Sequence, residues 1–207
     1  NILVWTKVFL KNESFTAFEG STGALALLFP MEKLFESYVA EKVKKAFAMR
    51  GYNVTAQESK YRLLSEVSDG SERGMFSLRP DIVVRKSGKE SSQEETIIMD
   101  TKWKRLEPDR YKNYGISQAD MYQMYAYCKE YKKENPSTRS VYVLYPYSRE
   151  FLRTISSPPE FKNFGISQKN GENRDTELEI KTFFIKLYDD DFAYELLQKI
   201  ESEKING

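Results

Sequence analysis

Apolar positions recur along this chain in two rhythms, and each change of rhythm marks a new element. Met31, Leu34, Phe35, Tyr38, Val39, Val43, Ala46 and Phe47 follow Pro30 at helical spacing, and Gly51 stands where such a helix would close. Tyr52 to Ser59, Met75 to Arg85 and Thr96 to Lys104 are short apolar runs rich in Val, Ile and Thr, bounded by polar turns, and are expected as strands. Between the last two, Lys86 to Glu95 reads as a polar hairpin loop. Ser117 with Asp120 three positions on is a capping-box-like start, followed by an apolar stripe of Met121, Met124, Tyr125, Cys128 and Tyr131. That predicts a second helix to about Lys133. Val141 to Tyr145 then reads as a buried strand, so strand, helix and strand form a right-handed crossover with parallel strands. Past Phe151 the pattern weakens to a loop through Pro158 and Pro159, a strand near Lys181 to Leu187, and a helix from the Asp189 to Asp191 cap through Ile200. The order predicts an α/β fold, a mixed sheet flanked by helices.

No repeat, low-complexity tract or Pro/Gly/Ser linker divides the 207 residues, a length sufficient for one full hydrophobic core. The longest purely apolar run, Ala24 to Phe29, is far short of a membrane span, and the first ten residues lack a signal-peptide core. The expectation is a soluble, non-secreted domain without a membrane partner. Because the chain opens on Asn1 rather than methionine, a longer biological protein is expected.

Composition narrows the chemistry. The absence of histidine removes Ser-His-Asp and Cys-His nucleophile pairs, His-ligated metals and imidazole proton shuttling. Chemistry here rests on carboxylates, lysine, tyrosine or amides. A single cysteine, Cys128, excludes an intrachain disulfide and a thiolate-rich metal site, and reads as a small core residue. With 32 basic against 31 acidic residues the net charge is only +1, so nucleic acid, if it is the substrate, is expected to be delivered by something else.

One constellation stands out. In Ile97-Ile98-Met99-Asp100-Thr101-Lys102-Trp103, a carboxylate and a lysine interrupt a strand that otherwise looks buried, and period-two geometry puts both on one face. The preceding strand carries Pro80-Asp81 at the entry to Ile82-Val83-Val84. If the hairpin is centred between Glu90 and Ser91, paired residue numbers sum to 181 and Asp81 faces Asp100. Two opposed carboxylates repel unless a cation lies between them. Hard oxygen ligands suit Mg²⁺, which binds through one or two carboxylates, polarises a phosphodiester oxygen and acidifies a bound water. Lys102 is suited to stabilise the attacking hydroxide or the developing phosphorane charge. Taken singly, Asp100 and Lys102 fit a same-face ion pair, and Asp81 a turn residue; together they point to histidine-free phosphodiester hydrolysis. Lys102, Lys104, Arg105, Arg110 and Lys112, against Glu107 and Asp109, form either a positive edge beside the site or a solvated loop.

Pro80-Asp81 followed by Asp100-Thr101-Lys102 resembles the PD-(D/E)xK nuclease superfamily, and Gln123-Met124-Tyr125-Ala126-Tyr127 is similar to the Gln-x-x-x-Tyr box of its RecB-like members. More narrowly, Ala26 to Glu36, Asp120 to Tyr127 and Leu144-Tyr145-Pro146 resemble the C-terminal nuclease domain of the McrC family, from about Ala24 to Pro146. The resemblance implies a restriction-endonuclease-like mixed sheet flanked by helices, with residues 1–30 a connecting segment and 31–207 the nuclease domain. It further implies Asp81, Asp100 and the Thr101 carbonyl as ligands of Mg²⁺, with Mn²⁺ as a substitute, and Lys102 as the catalytic lysine. Glu36 corresponds to the family's helical acidic residue, reaching the metal directly or through water; periodicity alone reads it as a solvated charge or a partner of Lys33. Gln123 would orient the lysine amine, or is a polar helix position. Tyr127 reads as core packing.

The implied activity is that of a Mg²⁺-dependent, type IV-like DNA endonuclease in a modified-cytosine restriction system. The implied partner is a McrB-like AAA+ GTPase hexamer, engaged through an N-terminal region not seen in this sequence. The remaining implications are double-stranded DNA as substrate, transient pairing of nuclease domains, and a prokaryotic cytoplasm. No Gly-x-x-x-x-Gly-Lys-[Ser/Thr] occurs, so nucleotide hydrolysis is left to the partner. A RecB-like exonuclease or repair nuclease, and a non-catalytic adaptor of an AAA+ ring, stand as alternatives.

Overall fold

A computed structural model describes residues 30–86, 95–136, 138, 140–164 and 176–205. Helix α1 (Met31–Ala48) leads into strand β1 (Asn53–Ala56), and its end follows from Gly51. With φ at +78°, Gly51 adopts the left-handed conformation, donating its N–H to Ala48 O while Tyr52 N returns to Phe47 O. This closure satisfies orphan helix carbonyls and turns the chain toward the sheet. Strands β2 (Arg62–Ser68) and β3 (Ser71–Ser77) form a separate two-stranded sheet, and β4 (Ile82–Lys86) and β5 (Glu95–Thr101) follow. After a 3₁₀ turn, helix α2 (Gln118–Glu134) crosses to β6 (Ser140–Pro146). The short helix α3 (Arg149–Thr154), strands β7 (Glu160–Phe164) and β8 (Thr176–Ile185) and helix α4 (Phe192–Ile205) complete the order.

The main sheet runs β1-β4-β5-β6-β8-β7. Its two central pairings, β5 with β6 and β6 with β8, are parallel, and its outer pairings are antiparallel. Alternation along each strand divides the core into two layers. Ile82, Val84, Ile97 and Met99 face α1 and α4, where Phe35, Val39, Val43, Phe47, Leu196 and Ile200 are buried. Val83, Ile98, Val141 and Val143 face α2, where Met124, Tyr127, Cys128 and Tyr131 are buried. Truncating a fully buried aromatic such as Phe47 to alanine would cost about 3–5 kcal/mol.

The expected fold class holds: a mixed six-stranded sheet flanked by helices, of restriction-endonuclease-like architecture. The register is also as expected, since Ile82↔Met99, Val83↔Ile98, Val84↔Ile97, Arg85↔Thr96 and Lys86↔Glu95 each sum to 181. The loop positions 87–94 that fix the hairpin centre lie outside the described residues, as does residues 1–29 of the expected connecting segment. One strand expectation is corrected. Met75 to Arg85 is not a single strand, for it breaks at Leu78-Arg79-Pro80 into the end of β3 and most of β4, in different sheets. Proline donates no ladder hydrogen bond and biases its predecessor away from regular pairing, so the chain changes sheets there.

Candidate active site

Asp81 sits one residue before β4 and Asp100 is the penultimate residue of β5, so the register of the β4–β5 ladder, carried one step beyond its last pair Ile82↔Met99, sets the two carboxylates opposite one another. Asp81 Oδ2 accepts from Thr101 N at 2.7 Å and from Thr101 Oγ1 at 2.6 Å, which pins the first carboxylate to the end of β5. Asp100 is only 2% exposed. Alternation puts it on the α2 face, and Lys102, two residues on, points the same way. Lys102 N donates to Leu144 O at 2.9 Å, extending the β5–β6 pairing beyond the strand and holding the lysine backbone in register.

The lysine head is held from three sides. Lys102 Nζ lies 2.7 Å from Asp100 Oδ2 and 3.9 Å from Asp120 Oδ1, and donates to Gln123 Oε1 at 2.9 Å. Gln123 Nε2 donates to Tyr127 OH at 2.7 Å, and Tyr127 OH donates to Arg79 O at 3.0 Å. Gln123 and Tyr127, four apart on α2, thus form a relay from the lysine to the backbone just before Pro80-Asp81. The ion pair with Asp100 is close, and Asp100 Oδ2, buried from solvent, has no other partner among the described residues.

Electrostatics follow. Burial, reinforced by the neighbouring Asp81 and only partly offset by Lys102, pushes Asp100 up to about 7. Burial alone would lower Lys102, but Asp100, Asp120 and Asp81 outweigh it and hold the amine above the ordinary lysine value. At neutral pH Lys102 is therefore a fixed cation rather than a base. Burial of Asp120 is likewise outweighed, here by Lys104, and its carboxyl is held below the usual range.

Glu36 occupies α1, across the sheet edge from the lysine relay. It accepts a short hydrogen bond from Gln57 Nε2, while Gln57 Oε1 accepts from Arg79 Nη2 and Gln57 N donates to Asp81 O at 2.8 Å. Burial, opposed by the Gln57 bond and reinforced by Asp81, raises the Glu36 carboxyl above its ordinary value. Its expected alternative partner, Lys33, acts on it only as the weakest of these influences. Among the described residues no three carboxylate or thiol groups converge on one point, so Glu36 is not gathered into a cluster with Asp81 and Asp100.

Of the residues singled out by sequence, the structure brings Asp81, Asp100, Thr101, Lys102 and Gln123 together and leaves Glu36 one residue removed, through Gln57. Two contributors were missed. The sequence marks Asp120 as a capping residue without a site role, and its N–H does donate to Ser117 Oγ at 3.1 Å, but its carboxylate also bridges Lys102 and Lys104. Gln57 carries a sequence signal only in retrospect, as a polar residue at a strand end. In the structure it has φ +50°, a left-handed conformation that costs a residue with a side chain about 1 kcal/mol or more.

A mixed sheet whose central hairpin ends in an acidic pair and a bracketed lysine defines a restriction-endonuclease-like α/β domain. The family model for the McrBC 5-methylcytosine restriction system component matches residues 1–146, and the chain belongs to that family. Membership makes it a component of a modification-dependent restriction system and implies partnership with McrB-like components. No curated protein and no solved structure matches the chain. Among the described residues no helix is long and apolar enough to cross a membrane.

Proposed function

We propose that this chain is the Mg²⁺-dependent DNA endonuclease of its restriction system, hydrolysing phosphodiesters of double-stranded DNA handed to it by a McrB-like GTPase ring. The observation that carries the reading is the buried Asp100, opposed by Asp81 and met only by Lys102, a lysine whose own position is set by Gln123. A divalent cation fits this donor set, because its charge offsets both the burial that raises Asp100 and the repulsion from Asp81. Asp81, Asp100 and the Thr101 carbonyl would hold Mg²⁺, or Mn²⁺ in its place. Bound there, the ion supplies Lewis-acid polarisation of a phosphodiester oxygen and a more acidic water.

The chain's own residues do the rest. Thr101 fixes the Asp81 carboxylate through two hydrogen bonds, so that one ligand is oriented before substrate arrives. Lys102, held charged by its acidic neighbours, stabilises negative charge on the attacking oxygen and on the phosphorane oxygens. Gln123 and Tyr127 position Lys102 relative to Arg79 and hence to Asp81. Glu36 adds negative potential on the α1 side and acts through Gln57 or a water. Cleavage of both strands calls for two such sites, supplied by transient pairing of nuclease domains.

Reconstitution with a McrB-like partner, GTP, Mg²⁺ and 5-methylcytosine-containing DNA tests this. The wild type should cut a covalently closed circle, whereas an exonuclease requires ends. Lys102→Ala should assemble with the ring and not cut. A wild-type protein that assembles and cuts nothing, or a Lys102→Ala protein that cuts normally, would contradict the proposal, and the former would favour a non-catalytic adaptor.

A further inference from the structure

Beside the acidic pair the main sheet opens into a groove of about 940 Å³, beyond the C-terminal ends of β6 and β8 and the residues that follow β5. Crevices outside the carboxyl ends of parallel strands are where α/β sheets bind ligands. Trp103 packs at 5.4 Å on Phe35, which anchors one part of the wall to the core. Among the described residues the charged lining is mostly basic, with Lys104, Arg105, Arg149 and Arg153 against Glu150, although the Lys104 amine is itself paired with Asp120. Arg105 Nη2 pairs with Glu150 at 2.8 Å, so the one negative group is already neutralised, by a pair exposed enough to open at little cost. Arg149 and Arg153, four apart on α3 and both exposed, have no carboxylate partner among the described residues. The groove is tied directly to the site. An ion-pair chain runs from Asp100 to Lys102, to Asp120 and to Lys104, a residue of the groove wall.

We infer that this groove is the track for the DNA sugar-phosphate backbone as it approaches the acidic pair, with Arg149 and Arg153 as its principal phosphate contacts. The expected basic edge from Lys102 to Lys112 therefore divides. Lys104 and Arg105 line the groove together with residues of α3, whereas Arg110 lines a separate pocket and Lys112 pairs with Asp109. A guanidinium pair suits phosphate because each fork donates two hydrogen bonds. A concentrated cationic track also explains how a chain of nearly neutral net charge engages a polyanion. The assignment takes its direction from the nuclease reading of the adjacent site, but its test needs no cleavage.

The measurement is fluorescence anisotropy of a labelled DNA duplex with the full chain, in chelator, between about 50 and 200 mM salt. Arg149→Ala/Arg153→Ala should weaken binding at least tenfold and flatten the log K against log salt slope by about two. Lys44→Ala/Lys45→Ala, which removes the same charge from exposed positions of α1, should leave both quantities near wild type. Absence of duplex binding by the wild type at the lowest salt, or equal losses in the two double variants, would overturn the assignment. So would a groove variant that binds duplex normally but no longer assembles with the GTPase ring, which would give the surface to the partner protein. Because metal is absent throughout, failure of the metal chemistry would leave this result intact and distinguishable.

Discussion

Helix α2 covers two partly buried acid-base pairs on the same face of the sheet, and they are built in opposite ways. Near its C-terminal end, Glu58 accepts from Arg85 Nη1 and Nη2, both at 2.6 Å, and from Tyr131 OH at 3.0 Å. The guanidinium holds this carboxyl below the usual range, and the planar fork leaves little unsatisfied. One turn earlier, the corresponding tyrosine, Tyr127, donates to a backbone carbonyl instead, and Asp100 faces a second carboxylate with a single lysine amine as its partner. Its carboxyl is pushed up to about 7. An acid fully met by its neighbours serves the fold, whereas one left in conflict is matched to something that must bind.

The comparison would break first in activity. Asp100→Asn should lower cleavage in the reconstituted system by on the order of 10³-fold or more, since loss of a metal ligand removes several kcal/mol of transition-state stabilisation. The same substitution should leave the metal-free protein at least as stable as the wild type above pH 7, because it deletes a buried, repelled charge. Arg85→Ala should do the reverse, costing about 2–4 kcal/mol in urea unfolding by stranding Glu58. A destabilised Asp100→Asn protein, or a fully stable Arg85→Ala one, would erase the distinction.

The pH dependences should also oppose one another. Asp100 in the folded chain keeps its proton to about 7, against 3.8 for an ordinary aspartate. The unfolded chain then binds fewer protons between those values, so the Asp100 contribution to metal-free stability falls as pH rises from about 4 to 7. Glu58 is depressed, so its contribution is present above the ordinary glutamate value and is lost on acidification. Metal affinity should weaken by up to about tenfold per pH unit below 7, because binding must displace the Asp100 proton. Unfolding curves of wild type and Asp100→Asn across this range, with parallel Mn²⁺ titrations, would check both signs.

Much of this was legible in the chain, for local reasons. The β4–β5 register followed from two apolar runs and a polar loop, and the α2 start from Ser117 and Asp120, because alternation and capping act over a few residues. The β2–β3 hairpin was missed although Asp69-Gly70 is a turn signal. None of its side chains is fully buried, so no apolar face announced it. Strand β7 and the short α3 were missed in a stretch read as loop. The Glu58–Arg85 pair and the Gln57 bridge join residues more than twenty positions apart, and periodicity carries no information about such contacts.

A smaller effect would sharpen the contrast at the edge of the site. Gln57→Gly and Gln57→Ala both remove the bridge between Glu36 and Arg79, and each should reduce cleavage about tenfold while leaving the Glu58 cluster unaffected. Glycine accepts φ +50° without strain, so Gln57→Gly should be more stable than Gln57→Ala by about 1 kcal/mol. Equal activity losses with that stability gap, read by unfolding and turnover together, would assign the bridge to positioning rather than folding.

The central claim is that Asp81 and Asp100 form a two-carboxylate cation site, and calorimetric titration of Mn²⁺ and Mg²⁺ into the wild type, Asp81→Asn and Asp100→Asn tests it most directly. The account predicts one saturable site in the wild type that disappears in both variants. No binding to the wild type, even with a short duplex present to supply phosphate oxygens, or unchanged binding in either variant, would contradict it.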